Sequence, residues 1–215
     1  MQQGKIKINK TATYYTEGDI KTAQTIWVVL HGYGMLAAYF IRKFQPIIND
    51  STYVIAPEGL SKFYSKGFYG RVGATWMTKQ DRADEIEDYT NYLNQLYDTI
   101  IAKNNCSEVK VNVVGFSQGG ATASRWIANG HVTPTNFILW SSIFPDEMEL
   151  KTFGKDFNTF LLWGDNDKFS NAERITEYEQ LLKESAFKLK LIMFNGGHDI
   201  PNKVLQEQTL KNKWQ

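Results

Sequence analysis

The chain has 215 residues, with 24 Lys and Arg against 23 Asp and Glu, so a formal net charge of +1 supplies no long-range field favouring nucleic acid or an anionic membrane. A mean hydropathy of -0.39, with no apolar run near the ~18 residues a membrane helix requires, excludes a spanning segment. At 42% hydrophobic and 14% aromatic the composition is that of a folded domain, and a chain this long buries roughly 70% of its unfolded surface in one core.

The stretch Met1 to Lys7 lacks the apolar core of a secretory signal, which makes a cytoplasmic location the expectation. Cys106 has no cysteine partner for an internal disulfide. With His31, His131 and His198 it forms no zinc-ligand spacing, and no loop carries the spacing of a calcium-binding hand.

Along the chain, β-rich runs alternate with helical ones, the pattern of an α/β domain with a mostly parallel sheet flanked by helices on both faces. Residues 5 to 16 alternate polar and apolar as two strands of an antiparallel hairpin. Ile26 to Leu30 is a continuous apolar run, expected of a strand covered on both faces, and Tyr53 to Ala56 is the next strand. Between them a helix is predicted from Leu36 to Phe44, stopped by Pro46. Residues 57 to 80 hold four glycines among Phe63, Tyr64, Phe68, Tyr69 and Trp76 without a clear period, either a surface loop or one wall of a binding pocket.

Ile86, Tyr89, Leu93, Leu96 and Ile100 fall at spacings of three and four, predicting a long amphipathic helix over 81 to 103 with Asp81 as N-cap. Further strands are expected at Val109 to Val114, Phe137 to Trp140, Phe157 to Trp163 and Leu189 to Phe194. Helices at 118 to 129, closed by Gly130, at 171 to 184 and at 202 to 213 complete the alternation. No repeat, low-complexity tract or long linker divides the chain, so 1 to 215 reads as one domain.

The sharpest chemical signal is Gly115-Phe116-Ser117-Gln118-Gly119-Gly120 between a strand and a helix rich in small residues. There a Gly-x-Ser-x-Gly turn exposes the serine oxygen, making Ser117 the candidate nucleophile. The N–H groups of the following helix would favour an oxyanion beside it. A serine hydroxyl needs a positioned base, and His198 in Asn195-Gly196-Gly197-His198-Asp199 follows the last strand on a flexible loop. His131 reads as a surface loop residue and His31 as structural. Leu30-His31-Gly32-Tyr33-Gly34 ends an early strand and can turn the Tyr33 N–H toward substrate, with the N–H of Gln118 as second donor.

An acid to orient the imidazole comes from Trp163-Gly164-Asp165-Asn166-Asp167. Asp167 is preferred, because Asp165 suits a turn residue bonding its own backbone and Asp199 suits a cap for the following helix. The order Ser117, Asp167, His198 is that of α/β-hydrolases.

These motifs give the sequence a resemblance to the carboxylesterase and acyl-protein thioesterase family of α/β-hydrolases, also called the phospholipase/carboxylesterase family. It spans nearly all of residues 24 to 212, through Leu30 to Gly34, Gly115 to Gly120, Gly164-x-x-Asp167 and Gly197-His198. The resemblance implies a compact, cofactor-free esterase with little or no lid. Its nucleophile, acid and base would be Ser117, Asp167 and His198, its oxyanion donors the main chains of Tyr33 and Gln118. The chain departs from the family at Met35, where an aspartate is common, and at Lys168-Phe169-Ser170, where proline and valine are usual.

The expected function is hydrolysis of a small-molecule carboxylic ester through an acyl-enzyme. Thioesterase or small peptidase activity, or a non-catalytic binding protein on the same fold, are the alternatives. Trp76, Met77, Ile143 and Phe144 are candidates for the acyl pocket, and each also suits the core.

Overall fold

Along Thr25–Leu30 (β2), Ile26, Val28 and Leu30 enter one apolar cluster while Trp27 and Val29 enter another. Successive strand side chains point to opposite faces, so a run that is apolar throughout needs cover on both. The structure, a computed structural model, describes residues 1–101, 109–150, 153, 156–169, 176, 180 and 189–210.

The other strands of the main sheet are Tyr14–Glu17 (β1), Thr52–Pro57 (β3), Lys110–Phe116 (β6), Asn136–Trp140 (β7), Asn158–Gly164 (β8) and Leu189–Phe194 (β9). Their order is β1-β3-β2-β6-β7-β8-β9, parallel except for β1, which runs antiparallel along β3. Ser61–Tyr64 (β4) and Val72–Thr75 (β5) form a separate antiparallel hairpin.

On one face lie Arg82–Ile100 (α2) and Gln118–Ala128 (α3). Tyr89, Leu93, Leu96 and Ile100 of α2 and Ala123, Trp126 and Ile127 of α3 pack against Ile26, Val28 and Leu30. Each Leu or Ile so buried contributes about 1.5–3 kcal/mol. The other face is covered by Ala37–Phe40 (α1), the 3-10 segment Ile41–Ile47 and Asn202–Leu210 (α4), through Phe40, Phe44 and Leu205. No helix among the described residues is long and apolar enough to cross a membrane.

At the amino ends of three neighbouring strands, Asn158 donates to Asn136 at 3.1 Å and Asn136 to Asn112 at 2.8 Å. These residues are also strand partners, so the amide ladder fixes the register of β6, β7 and β8.

Four expectations change. Of the predicted hairpin over 5 to 16 only Tyr14–Glu17 is a strand. Lys5 and Lys7 instead pair with Asp84 and Glu87 of α2, leaving Ile6 and Ile8 exposed and without a sheet partner. The helix expected over 36 to 44 is one α turn continued as a 3-10 segment, and Pro46 does not stand outside it as a stop but lies one residue before its end.

Residues 57 to 80 contain the β4–β5 hairpin, whose alternation at Ser61–Tyr64 is too short to stand out among glycines and aromatics. Asp81 adopts φ 49° and makes no side-chain cap; its carbonyl accepts the Glu85 N–H at 3.1 Å while its side chain faces Lys5 at 3.7 Å. The helix expected over 171 to 184 lies outside the described residues, apart from positions 176 and 180.

Candidate active site

The carboxyl ends of β2, β6, β8 and β9 converge on one rim of the sheet, the edge where open α/β sheets place their ligands. At the end of β6 the chain reverses sharply into α3. Ser117 takes φ 53° and ψ -122°, a conformation L-residues rarely adopt. The turn is held by the Ser117 N–H on the Trp140 carbonyl at 3.0 Å, by Gly120 N–H on the Ser117 carbonyl at 2.9 Å, and by the Ser142 hydroxyl on that same carbonyl at 2.6 Å. A side chain at Gly119 is excluded, because its Cβ would stand 2.6 Å from the His31 carbonyl oxygen and nearer still to that of Leu30. Gln118 opens α3, in the first turn whose N–H groups lack intrahelical acceptors.

Asp167 and His198 meet because the loops after β8 and β9 are laced together. Asp165 N–H donates to the Phe194 carbonyl at 3.0 Å, Asn166 N–H to Gly196 at 2.9 Å, and the Asp165 carboxylate accepts the Gly196 N–H at 3.0 Å. Asp165 therefore braces the neighbouring loop instead of bonding its own backbone as expected, its carboxylate also meeting the side-chain amides of Asn166 and Asn195. Gly164 permits the approach, since a Cβ there would stand 2.7 Å from the Gly197 carbonyl oxygen.

The outcome is a 2.8 Å contact between His198 Nδ1 and Asp167 Oδ2, with the carboxylate fully buried and the imidazole partly exposed. Burial pushes the Asp167 carboxyl toward protonation, but the Phe169 N–H at 2.9 Å and the His198 ring outweigh it, with the nearby Ser141 hydroxyl adding to their effect although short of full hydrogen-bond geometry. The balance holds Asp167 below its usual value. The rings of Phe116 and Phe169 lie 4.9 and 4.7 Å from that of His198. Asp199 does not cap α4; it pairs with Lys43 at 2.5 Å and accepts the Ile200 N–H.

On the opposite side of the elbow, His31 is fully buried. Its Nδ1–H donates to the Gly32 carbonyl at 2.8 Å and its Nε2 accepts the Gly59 N–H at 3.0 Å, an arrangement that requires the neutral ring. Burial lowers its pKa accordingly. Tyr33 follows on the exposed loop, its ring stacked on Phe63 at 5.0 Å. His131 is at the surface, 2.8 Å from Asp98.

Of the four residues put forward for an acyl pocket, Trp76 and Phe144 are buried in the core beneath the rim. Trp76 donates its indole N–H to the His31 carbonyl at 2.8 Å, and Phe144 packs edge-on against Phe137. Met77 and Ile143 are partly exposed against the same cluster.

Three contributors escape sequence reasoning: Ser142, Phe169 and the Gln118 side chain. The first two sit beside motifs without belonging to one, and Gln118 is selected there only for its N–H. Among the described residues no group of three or more His, Cys, Asp or Glu side chains is placed to hold a metal ion.

The model of the family described as Phospholipase/Carboxylesterase matches residues 14–210. No curated protein matches the sequence significantly. Among solved structures, a carboxylesterase of Bacillus cereus superposes with a TM-score of 0.72 at 15% identity, covering 96% of both chains. Acyl-protein thioesterase 2 of Zea mays gives 0.70 at 18% identity, over 95% of this chain and 100% of its own. Esterase PE8 gives 0.69 at 19%, over 95% and 99%. At such identities the superpositions establish the α/β-hydrolase fold, and the family match, running from β1 to the last residue of α4, establishes descent: this chain belongs to the phospholipase/carboxylesterase family.

Proposed function

We propose that the protein is a serine carboxylesterase acting on small-molecule esters, with Ser117 as nucleophile, His198 as base and Asp167 as orienting acid. The observation that carries this reading is the 2.8 Å pair of His198 Nδ1 with a buried Asp167, on the rim shared with the strained Ser117 turn. With Nδ1 engaged, Nε2 is the imidazole atom left to take a proton.

In this mechanism Ser117 Oγ bonds to the ester carbonyl carbon as its proton passes to His198 Nε2. The carbonyl electron pair moves onto oxygen, held by the N–H groups of Tyr33 and Gln118. Collapse of the tetrahedral intermediate breaks the bond to the alcohol oxygen, which leaves with the proton from the imidazolium. Water then repeats the sequence on the acyl-enzyme, releasing the acid and restoring Ser117. The ionised Asp167 stabilises the imidazolium, and each oxyanion donor accounts for roughly 10²–10³ in rate.

Labelling with a fluorophosphonate tests this directly. Intact-mass and peptide analysis should find one adduct on Ser117, lost in Ser117→Ala and slowed at least about 100-fold in His198→Ala. A folded wild-type protein that takes no label, or takes it elsewhere, contradicts the assignment.

A further inference from the structure

The partly buried Gln118 side chain grips the chain at the end of β5 and just after it. Its Oε1 accepts the Trp76 N–H at 3.2 Å and its Nε2 donates to the Met77 carbonyl at 2.9 Å, while the Thr75 hydroxyl lies 3.0 Å from Oε1 and 2.9 Å from the Met77 carbonyl and shares its one proton between them. Two main-chain partners of opposite polarity fix which end of the amide is oxygen.

The same short segment holds the other candidate oxyanion loop. Gly34 N–H donates to the Ala74 carbonyl at 2.8 Å, Ala74 N–H returns to the Met35 carbonyl at 3.1 Å, and the Trp76 indole reaches the His31 carbonyl at 2.8 Å. Tyr33 is thus pinned on both sides by residues 74 and 76, and Gln118 by residues 75, 76 and 77.

Resting on the assignment of Tyr33 and Gln118 as oxyanion donors, we propose that the Gln118 side chain is a positioning residue, a strut that sets the separation between those two N–H groups through Ala74–Met77. An oxyanion hole works only when its donors stand about 2.7–3.1 Å from where the oxyanion forms, so a shift of a few tenths of an ångström in one donor is felt in turnover before it is felt in substrate binding. The two donors follow different strands, one in the loop after β2 and one at the start of α3 after β6, and the sheet alone does not fix the height of each above its strand. A tie through a third element does. The family resemblance gives Gln118 its role through the main chain; the strut gives the side chain a second one.

The test compares wild type, Gln118→Ala and Thr75→Val in hydrolysis of p-nitrophenyl butyrate, in inhibition by a trifluoromethyl ketone and in thermal unfolding. The ketone adds Ser117 Oγ and leaves a hemiketal oxyanion in the hole, so its affinity reports donor placement. For Gln118→Ala the strut predicts kcat lower by roughly 10–100-fold, short of a lost donor. KM stays within about twofold, and ketone affinity falls in parallel with kcat/KM. Thr75→Val, which removes the hydroxyl shared between Gln118 Oε1 and the Met77 carbonyl, should show the same pattern at smaller size, and decides the matter if Gln118→Ala does not fold.

Turnover and ketone affinity within twofold of wild type, or a loss confined to KM or to melting temperature, overturns the strut. A wild-type protein that ignores the ketone, or a Ser117→Ala variant that still hydrolyses the ester, overturns the serine mechanism itself and the strut with it.

Discussion

Ser117 stands at φ 53° although it carries a Cβ, and such a conformation costs roughly 1–3 kcal/mol and persists only where its surroundings enforce it. Here the Trp140 carbonyl, the Ser142 hydroxyl and the close approach of Gly119 to Leu30 and His31 do so. The two simplest deletions of the hydroxyl should therefore differ in stability. Ser117→Ala keeps the strain, whereas Ser117→Gly relieves it at the expense of about 0.5–1 kcal/mol of unfolded-state freedom. Equilibrium denaturation should find the glycine variant more stable by about 1 kcal/mol. Equal midpoints would mean that the turn is relaxed around Ser117.

Among the elements, the amide ladder adds side-chain hydrogen bonds to the backbone pairing of β6, β7 and β8. Asn112 and Asn136 are buried, so Asn136→Ala leaves the Asn112 oxygen without its donor and Asn158 without its acceptor. A loss of about 2 kcal/mol follows, near 4–8 °C in Tm for a chain of this size. The ladder occupies the strand ends opposite the rim, so hydrolysis measured well below Tm should stay within twofold of wild type.

The strands that a sequence pattern reveals most readily are those buried on both faces: Ile26 to Leu30 is apolar throughout, and Val111, Val113 and Val114 are apolar around the single paired amide of Asn112, because they lie between two helical layers. The α2 stripe is equally plain, since Tyr89, Leu93, Leu96 and Ile100 recur at helical spacing. The β4–β5 hairpin is not, because its strands are four residues each and only β4 alternates between exposed and half-buried positions. The amino-terminal alternation misleads for a related reason: Lys5 and Lys7 alternate with isoleucines in order to meet acidic residues on a helix, not to pair in a sheet. At the rim, Ser117, Asp167 and His198 follow from strand ends and glycine turns. The lacing by Asp165 and the grip of Gln118 on residues 75 to 77 depend on contacts between loops distant in sequence, which no local pattern carries.

Across the whole molecule, acid stability depends on groups with displaced pKa values, Asp167, Asp199, Glu147 and His31 among them. Partial burial opposes ionisation of Glu147, but hydrogen bonds from Arg125 of α3, its own backbone and Arg82 of α2 outweigh it and hold the carboxyl down to about 2. A carboxyl depressed from 4.5 contributes its full stabilisation above about 4.5 and loses it as pH falls through about 2. Glu147 is half exposed, so solvent screening limits that contribution to about 1 kcal/mol or less. His31 adds to the same limb: buried neutral, it resists the proton that the unfolded chain takes up below 6.5, so stability falls from that pH downward. Urea denaturation from pH 7 to pH 3 should show the wild type weakening below 6.5. The deficit of Glu147→Gln should be constant above about 4.5 and shrink below it, and a deficit that grows toward low pH would contradict the linkage.

The sheet, the elbow and the laced loops all serve one claim, that this rim hydrolyses esters through Ser117. The most direct measurement is hydrolysis of p-nitrophenyl acetate, butyrate, octanoate and palmitate by wild type and Ser117→Ala side by side. The wild type should turn over at least one chain length, at a rate that falls to the uncatalysed background in the variant. Turnover that survives Ser117→Ala, or a folded wild type inert on the whole series, would contradict that claim.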